Sequence, residues 1–445
     1  MMISRRRNLL ILAAAALLLI LVVAWRMLFL PDALAFAGGT RVALSDYARA
    51  PIAGVPIELA NADALTKGRY LAEAADCAAC HTAKGGTPFA GGRPFKLPFG
   101  TIYTPNITPD RETGIGAWTD AQFIRAVHKG IARDGERLYP AFPYASYTML
   151  TDDDVLAIRR YLASLPAVRR ANQPNTFAFP FNQRWLMAIW GTFFNPGKRF
   201  EPVAERSPQW NRGAYLVEAA GHCGECHTPR TLMQAMNTRS KFSGGQAEGW
   251  NAYNITGDRL SGIGDWTDAE LAQYLSKGHA EGRGVASGPM AEAVELSTSR
   301  LTTSDIAAMV AYLRTIPAVR TKASPEMAGP APAIASAGPT NNVPGKRIFQ
   351  GACASCHAWS GRGAITTDQQ LTGNRAVNDG TAANVAMMIL NGTGGSPERP
   401  GAYMPSFRAA YIDAEIADVA NYVTARFGSK PSRITAEDVK RMREE

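Results

Sequence analysis

Three short strings in this chain set two thiols and an imidazole at a fixed spacing: Cys77-Ala-Ala-Cys80-His81, Cys223-Gly-Glu-Cys226-His227 and Cys353-Ala-Ser-Cys356-His357. C-x-x-C-H is the attachment pattern of c-type haem. On one turn of helix the two thiols face the same way and can close thioethers onto both vinyl groups of a haem, while the adjacent histidine reaches the iron. The iron then carries the exchangeable electron, so no side chain has to. A thioredoxin-like pair or a zinc knuckle also uses C-x-x-C, but neither requires a histidine beside the second cysteine in every copy. The three copies consume all six cysteines, leaving none for a disulfide or a nucleophile. Three covalent haems are expected, bound by Cys77, Cys80, His81, Cys223, Cys226, His227, Cys353, Cys356 and His357, with the three histidines on iron.

A histidine on one face leaves the sixth iron position to be filled or left open. Methionine suits an electron carrier, because its soft thioether raises the potential. Met290, in Gly288-Pro289-Met290, and Met404, in Tyr403-Met404-Pro405, stand in Pro-flanked loops ahead of a closing helix and are expected as metal ligands. The register that carries Gly278 to Met290 carries the equivalent Gly130 to Phe142, and phenylalanine cannot ligate iron. The first haem is therefore expected either on Met149 or five-coordinate. His128, His222 and His279 read as surface groups or propionate neighbours. Trp118 and Trp266 read as haem-packing aromatics whose indole N–H meets a propionate or a carbonyl. Asn106 and Asn254 suit propionate or loop hydrogen bonds.

The elements that must position these residues come in a duplication. Gly68-Arg-Tyr-Leu-Ala-Glu-Ala-Ala75 matches Gly213-Ala-Tyr-Leu-Val-Glu-Ala-Ala220, and Asn106-Ile-Thr108 with Thr113-Gly-Ile-Gly-Ala-Trp-Thr-Asp120 matches Asn254-Ile-Thr256 with Ser261-Gly-Ile-Gly-Asp-Trp-Thr-Asp268. Each copy closes with a helix after a threonine N-cap, Thr151 before Asp152 to Leu165 and Thr302 or Thr303 before Asp305 to Ile316, stopped by Pro166 and Pro317. A third, divergent copy keeps a helix into Cys353, a middle helix around Ala382 to Asn391 and a last helix from Asp413 to Phe427. The expected divisions are 1–30 (anchor), 62–170, 171–206 (aromatic-rich), 207–320, 321–344 (Pro/Ala-rich linker), 345–428 and 429–445 (charged tail). The linker, whose composition cannot build a core, is expected to leave the third domain mobile. The segment 177–200 concentrates phenylalanine and tryptophan, fitting an inter-domain core or a surface that docks on a partner subunit or the bilayer.

Arg5-Arg6-Arg7 precedes an apolar run from Leu9 to Trp25, which marks an export signal with its positive end kept inside. About 20 apolar residues span a bilayer, and Leu9 to Leu30 supplies them if Arg26 snorkels; an uncleaved anchor is favoured over a cleaved signal. The haem domains are thus expected on the periplasmic side of the inner membrane. The net charge of +9 over 445 residues does not indicate nucleic acid, because the basic residues are scattered and haem propionates offset part of the excess.

The strings Asp76-Cys-Ala-Ala-Cys-His-Thr82, Asn106-Ile-Thr-Pro-Asp110, Leu138-Tyr-Pro-Ala-Phe-Pro-Tyr144, Trp210-Asn-Arg-Gly-Ala-Tyr215 and Gly221-His-Cys-Gly-Glu-Cys-His-Thr-Pro-Arg230 resemble the three-haem cytochrome c subunit of bacterial membrane-bound periplasmic dehydrogenases, from about Leu65 to Phe427. The resemblance implies a mostly α fold: three tandem class I cytochrome c-like domains behind an N-terminal transmembrane helix or signal anchor. It implies an electron-transfer subunit without a substrate site of its own. Its partner would be a catalytic dehydrogenase subunit of molybdenum, flavin or quinoprotein type, and its acceptor ubiquinone or a terminal oxidase. The Pro-Ala-Phe-Pro-Tyr string resembles relatives paired with molybdenum hydroxylases acting on aldehydes or N-heteroaromatics. The competing readings are a multihaem peroxidase working at an open first haem and a cytochrome subunit of a terminal oxidase.

Overall fold

In each motif-bearing segment the chain enters the cysteine motif from one helix and later packs a closing helix across it. The computed structural model describes residues 2–29, 33–47, 49–321, 341–393 and 403–444. Helix α1 (Met2–Phe29) comes first, and Ile11, Leu12 and Leu17 to Leu21 along it are exposed. Among the described residues no helix is long and apolar enough to cross a membrane.

The first segment contains α2 (Ala64–Ala74), begun by the Asp63 carboxylate accepting from the Leu65 and Thr66 amides, then α3 (Cys77–His81). A two-stranded antiparallel hairpin follows, β1 (Pro94–Leu97) and β2 (Gly100–Tyr103), with Phe95 opposite Ile102. A Thr119/Gln122 capping box starts α4 (Asp120–Lys129), and Gly130 ends it in the left-handed region at φ 60°, where a side chain would be strained. The short α5 (Tyr144–Tyr147) and the closing α6 (Asp152–Ser164), capped by Thr151, complete the segment. The bridge to the next segment carries α7 (Leu186–Phe194), which packs against α1.

The second segment repeats the order. Helix α8 (Pro208–Tyr215) runs through a π-helical turn, Leu216–Ala220, into α9 (Gly224–His227). Then come the hairpin β3 (Gly245–Ala247) and β4 (Trp250–Ala252), and α10 (Asp268–Lys277) with its Thr267/Glu270 capping box. The antiparallel pair β5 (His279–Ala280) and β6 (Gly284–Val285), matched in the first copy by the single antiparallel bridge Ile131–Arg137, leads to α11 (Pro289–Leu296). Thr302 caps the closing α12 (Thr303–Leu313). The third segment has α13 (Val343–Ile348), a π-helical turn Phe349–Cys353, α14 (Ala354–His357), α15 (Ala383–Asn391) and α16 (Asp413–Phe427).

One glycine makes each crossing possible. A Cβ on Gly68 would lie 2.3 Å from the Ala157 carbonyl oxygen, one on Gly213 1.9 Å from that of Ala308, and one on Gly345 2.3 Å from that of Asp418. The entering and closing helices therefore touch backbone to backbone, and Tyr161, Tyr312 and Tyr422 stand at the same three crossings.

The duplication becomes a reciprocal interface. Tyr70 on α2 donates to Asp305 Oδ2 on α12 (2.6 Å), and its counterpart Tyr215 on α8 donates to Asp154 Oδ2 on α6 (2.5 Å). The Tyr70 oxygen accepts from the Thr302 amide and the Tyr215 oxygen from the Thr151 amide. The same contact is thus made twice in opposite directions, as in an isologous dimer. Arg212 adds a fork onto Asp305 at 2.8 and 2.7 Å and reaches the Ile52 and Gly54 carbonyls at 2.9 Å each. One apolar core runs through both segments.

One expectation needs correction. The third segment, expected to be mobile, is docked on the second: Trp250 of β4 lies in the third segment's core. Asn251 and Asn384 exchange backbone–side-chain hydrogen bonds at 2.8 and 3.0 Å, and His279 Nδ1 lies 2.9 Å from Asp368 Oδ1. Linker composition signals slack in the linker and carries no information about the surfaces it joins; most of the linker, 322–340, falls outside the described residues. The charged tail is also built in, as α17 (Ala436–Glu444), whose Val439 is fully buried against the third core while its charged face stays outside.

Candidate haem sites

Each motif histidine is oriented in the same way by backbone. His81 Nδ1 is 2.8 Å from the Pro105 carbonyl oxygen, His227 Nδ1 2.6 Å from that of Tyr253, and His357 Nδ1 2.7 Å from that of Gln369. A carbonyl can only accept, so Nδ1 carries the proton and Nε2 is left with its lone pair. This is the tautomer a metal-ligating histidine takes. Burial lowers all three histidines below the usual imidazole value, which keeps them in the neutral, ligating form. The cysteine thiols are pushed the other way by burial: to about 12 for Cys77, Cys80 and Cys223, and to about 11 for Cys226 and Cys353. Such thiols are not the low-pKa nucleophiles of a redox dithiol.

The surroundings fit haem. The indole Nε1 of Trp266 is buried without a hydrogen-bond partner, a donor waiting for an acceptor the protein does not supply. Trp118, at the matching position, is only partly buried. Asn106 and Asn254 brace loops instead of facing a cofactor: Asn106 Nδ2 donates to Val168 O and Asn254 Nδ2 to Val319 O, both at 2.7 Å. Met290 is partly buried in the first turn of α11, entered through Gly288 at φ 53° where a Cβ would strike the Trp250 indole. Met404 is partly buried in the third core, its amide and carbonyl both bonded to Thr393.

The first segment differs. Phe142 packs edge-on to Tyr147, with ring centroids 5.5 Å apart. Met149 lines a cavity of about 570 Å³ with Trp190, Phe194, Phe200 and Met236, and no residue of Cys77–His81 lines it. Met149 also packs against the core shared with Cys77. His128, expected at the surface or beside a propionate, is buried with neither ring nitrogen hydrogen-bonded, and burial lowers it to about 4. The aromatic bridge divides: Phe177, Trp190 and Phe200 are buried, while Phe179, Phe181, Trp185 and Ile189 are exposed.

The first two motif loops face each other. Arg93 donates to the Ala79 carbonyl inside the first motif (2.7 Å), to both Glu248 oxygens of the second segment (3.0 Å each) and to Glu292 on α11. Ser146 of α5 donates to Glu225 inside the second motif at 2.9 Å. Asp76 is pushed up to about 8 by burial and by the charge of Glu292, against the pull of Arg93. The second segment is thus central, touching the first motif loop on one side and the third segment on the other. Motif counting gives no hint of Arg93, Arg212 or the Tyr70/Tyr215 exchange, although the paired tyrosines do recur in the duplicated strings.

Comparison with known proteins decides the family. The cytochrome c family profile matches residues 65–166 and 343–426. The gluconate 2-dehydrogenase cytochrome c subunit of Pantoea cypripedii is 36% identical over 409 residues, covering 86% of this chain and 90% of that protein. The fructose dehydrogenase cytochrome subunit of Gluconobacter japonicus is 38% identical over 409 residues, covering 86% and 83%. This chain belongs to the family of cytochrome c subunits of dehydrogenases. It is also 41% identical over 389 residues to a nicotinate dehydrogenase subunit of Pseudomonas putida, covering 86% of this chain but only 32% of that longer protein. The cytochrome is therefore an electron-transfer subunit and not a catalytic one, and membership of the family brings covalent haem c with its iron. The multihaem peroxidase reading is not favoured.

Proposed function

We propose that the cytochrome carries three haems in three cytochrome c-like domains, 62–170, 207–320 and 345–428, and relays electrons from a catalytic dehydrogenase subunit to ubiquinone or a terminal oxidase. The observation that carries this is the threefold recurrence of one arrangement: a motif histidine whose Nδ1–H is held by a backbone carbonyl, presenting Nε2. Bound there, each haem supplies a one-electron iron couple. Cys77, Cys80, Cys223, Cys226, Cys353 and Cys356 tether the haems, and His81, His227 and His357 ligate them. Met290 and Met404 complete the second and third irons. At the first haem, His81 would hold the iron, and Phe142, in the methionine register, would offer it no sixth ligand.

The basic Arg5-Arg6-Arg7 ahead of the apolar run from Leu9 to Trp25 supports export, with the haem domains held on the periplasmic side of the inner membrane. The exposed bridge residues Phe179, Phe181 and Trp185 add apolar surface to the protein. For the partner, the Pro-Ala-Phe-Pro-Tyr string and the relative named for nicotinate, an N-heteroaromatic acid, both favour a molybdenum hydroxylase. Purification of the tagged chain from detergent-solubilised membranes is expected to bring down a catalytic subunit containing molybdenum by elemental analysis. A partner holding only flavin or a quinone cofactor would contradict that assignment.

A further inference from the structure

Arg375 belongs to the third segment, yet its guanidinium is buried in the second. It is 6% exposed. Its Nη2 donates to the Asn254 carbonyl at 3.0 Å and to the Ser261 carbonyl, and its amide donates to the Arg283 carbonyl at 2.9 Å. The guanidinium carbon lies 5.0 Å from the centroid of the Tyr253 ring. Tyr253 is the residue whose carbonyl holds His227.

No carboxylate is paired with this buried cation among the described residues. Asp379, the acid acting on it, is occupied by Asn251, Tyr253 and Thr381. Burial accordingly pulls Arg375 down to about 10. Its Nε, like the indole Nε1 of Trp266, is buried with no partner, and Trp266 is itself 6% exposed. An unpaired buried charge is strongly unfavourable, and an unmade buried hydrogen bond adds to the cost. Two orphan donors and one uncompensated positive charge in the domain that carries His227 call for an anionic acceptor. Other arginines there are committed: Arg283, over the Trp266 ring, is held by Glu270 and the Asp265 carbonyl, and Arg314 by Asp268 and the Ile263 carbonyl.

We infer that Arg375 of the third domain, together with Trp266, binds a propionate of the second haem, so that docking of the third domain completes the second haem's site and sets its potential. The inference rests on the reading that Cys223, Cys226 and His227 hold a haem. A buried positive charge favours the Fe(II) state, which carries one positive charge fewer than Fe(III). The junction through which the second and third domains meet is then also the element that tunes the second iron.

The test is a redox titration of the full-length, haem-loaded protein, with the second haem's wave identified as the one missing from a Cys223→Ala/Cys226→Ala variant. Arg375→Gln is expected to shift that couple about tenfold toward Fe(III), a fall of about 59 mV for one electron. Arg375→Lys, which keeps the charge, is expected to recover most of the shift, and the first haem's couple is expected to hold still. Trp266→Phe removes one donor N–H without removing charge, and a smaller fall is expected; this variant decides the matter if Arg375→Gln fails to load haem. An unchanged or raised second potential, with haem on the Cys223–Cys226 peptide by mass, would overturn the inference. Absence of haem from that peptide in the unaltered protein would instead overturn the reading beneath it.

Discussion

Asp305→Ala is expected to cost the folded, haem-loaded chain about 3–5 kcal/mol, the range for removing one partner of a buried ion pair. Asp305 is 1% and Arg212 7% exposed, and the carboxylate takes both Arg212 nitrogens as well as the Tyr70 hydroxyl. Alanine leaves the guanidinium with only two carbonyls and strands Tyr70 OH on the far side of the interface. The reciprocal change, Asp154→Ala, strands Tyr215 and the Gly54 amide but no cation, and about 1–3 kcal/mol is expected. An exposed pair gives the baseline: Asp120, 2.6 Å from Arg159 with its side chain 63% exposed, should matter by less than about 1 kcal/mol. Urea unfolding followed through the haem absorbance reads all three. Asp305→Ala behaving like Asp120→Ala would show that the interface between the first two domains does not depend on this pair.

Gly213→Val is expected to prevent the second domain from assembling, a loss above about 4 kcal/mol. The new Cβ would need to occupy a point 1.9 Å from the Ala308 carbonyl oxygen, and that oxygen is backbone, so no rotamer relieves the clash. Parting α8 from α12 would separate Trp210 from Tyr312, whose rings are 5.1 Å apart, and open the core the first two domains share. The expected readout is absence of haem from the Cys223–Cys226 peptide together with increased proteolysis. Gly191→Ala is the control: it lies in α7 with nothing within 4 Å of its Cβ position, and replacing a helical glycine there should stabilise by about 0.5–1 kcal/mol. Full haem loading in Gly213→Val would contradict the backbone-to-backbone crossing.

Local chemistry made much of this structure legible from sequence. The threonine caps placed the closing helices at Thr151 and at Thr302 or Thr303, of which the fold uses Thr302, because a cap is a contact between near neighbours. The motif histidines were legible because each directly follows the second cysteine of its C-x-x-C pair. What remained hidden depends on contacts between residues distant in sequence. Gly68 and Gly213 could be seen to recur, but the need for glycine appears only when the facing carbonyls are in place. Asp154 and Asp305 read as first-turn acids of their own helices, and each binds a tyrosine of the other repeat. Arg375 sits in a loop whose sequence has no visible relation to His227. The departure of the first copy was legible in Phe142, which stands in the register of Met290, while the cavity that Met149 lines with Trp190 and Phe200 required the fold.

The central claim is that this chain is a wire of three one-electron centres, and a stoichiometric reductive titration of the purified protein tests it most directly. Uptake of three electrons per polypeptide is predicted, with the haem content by alkaline pyridine spectrum also three and each haem recovered on its own C-x-x-C-H peptide. An uptake of two electrons or fewer by fully loaded protein, or a motif peptide recovered without haem, would contradict it.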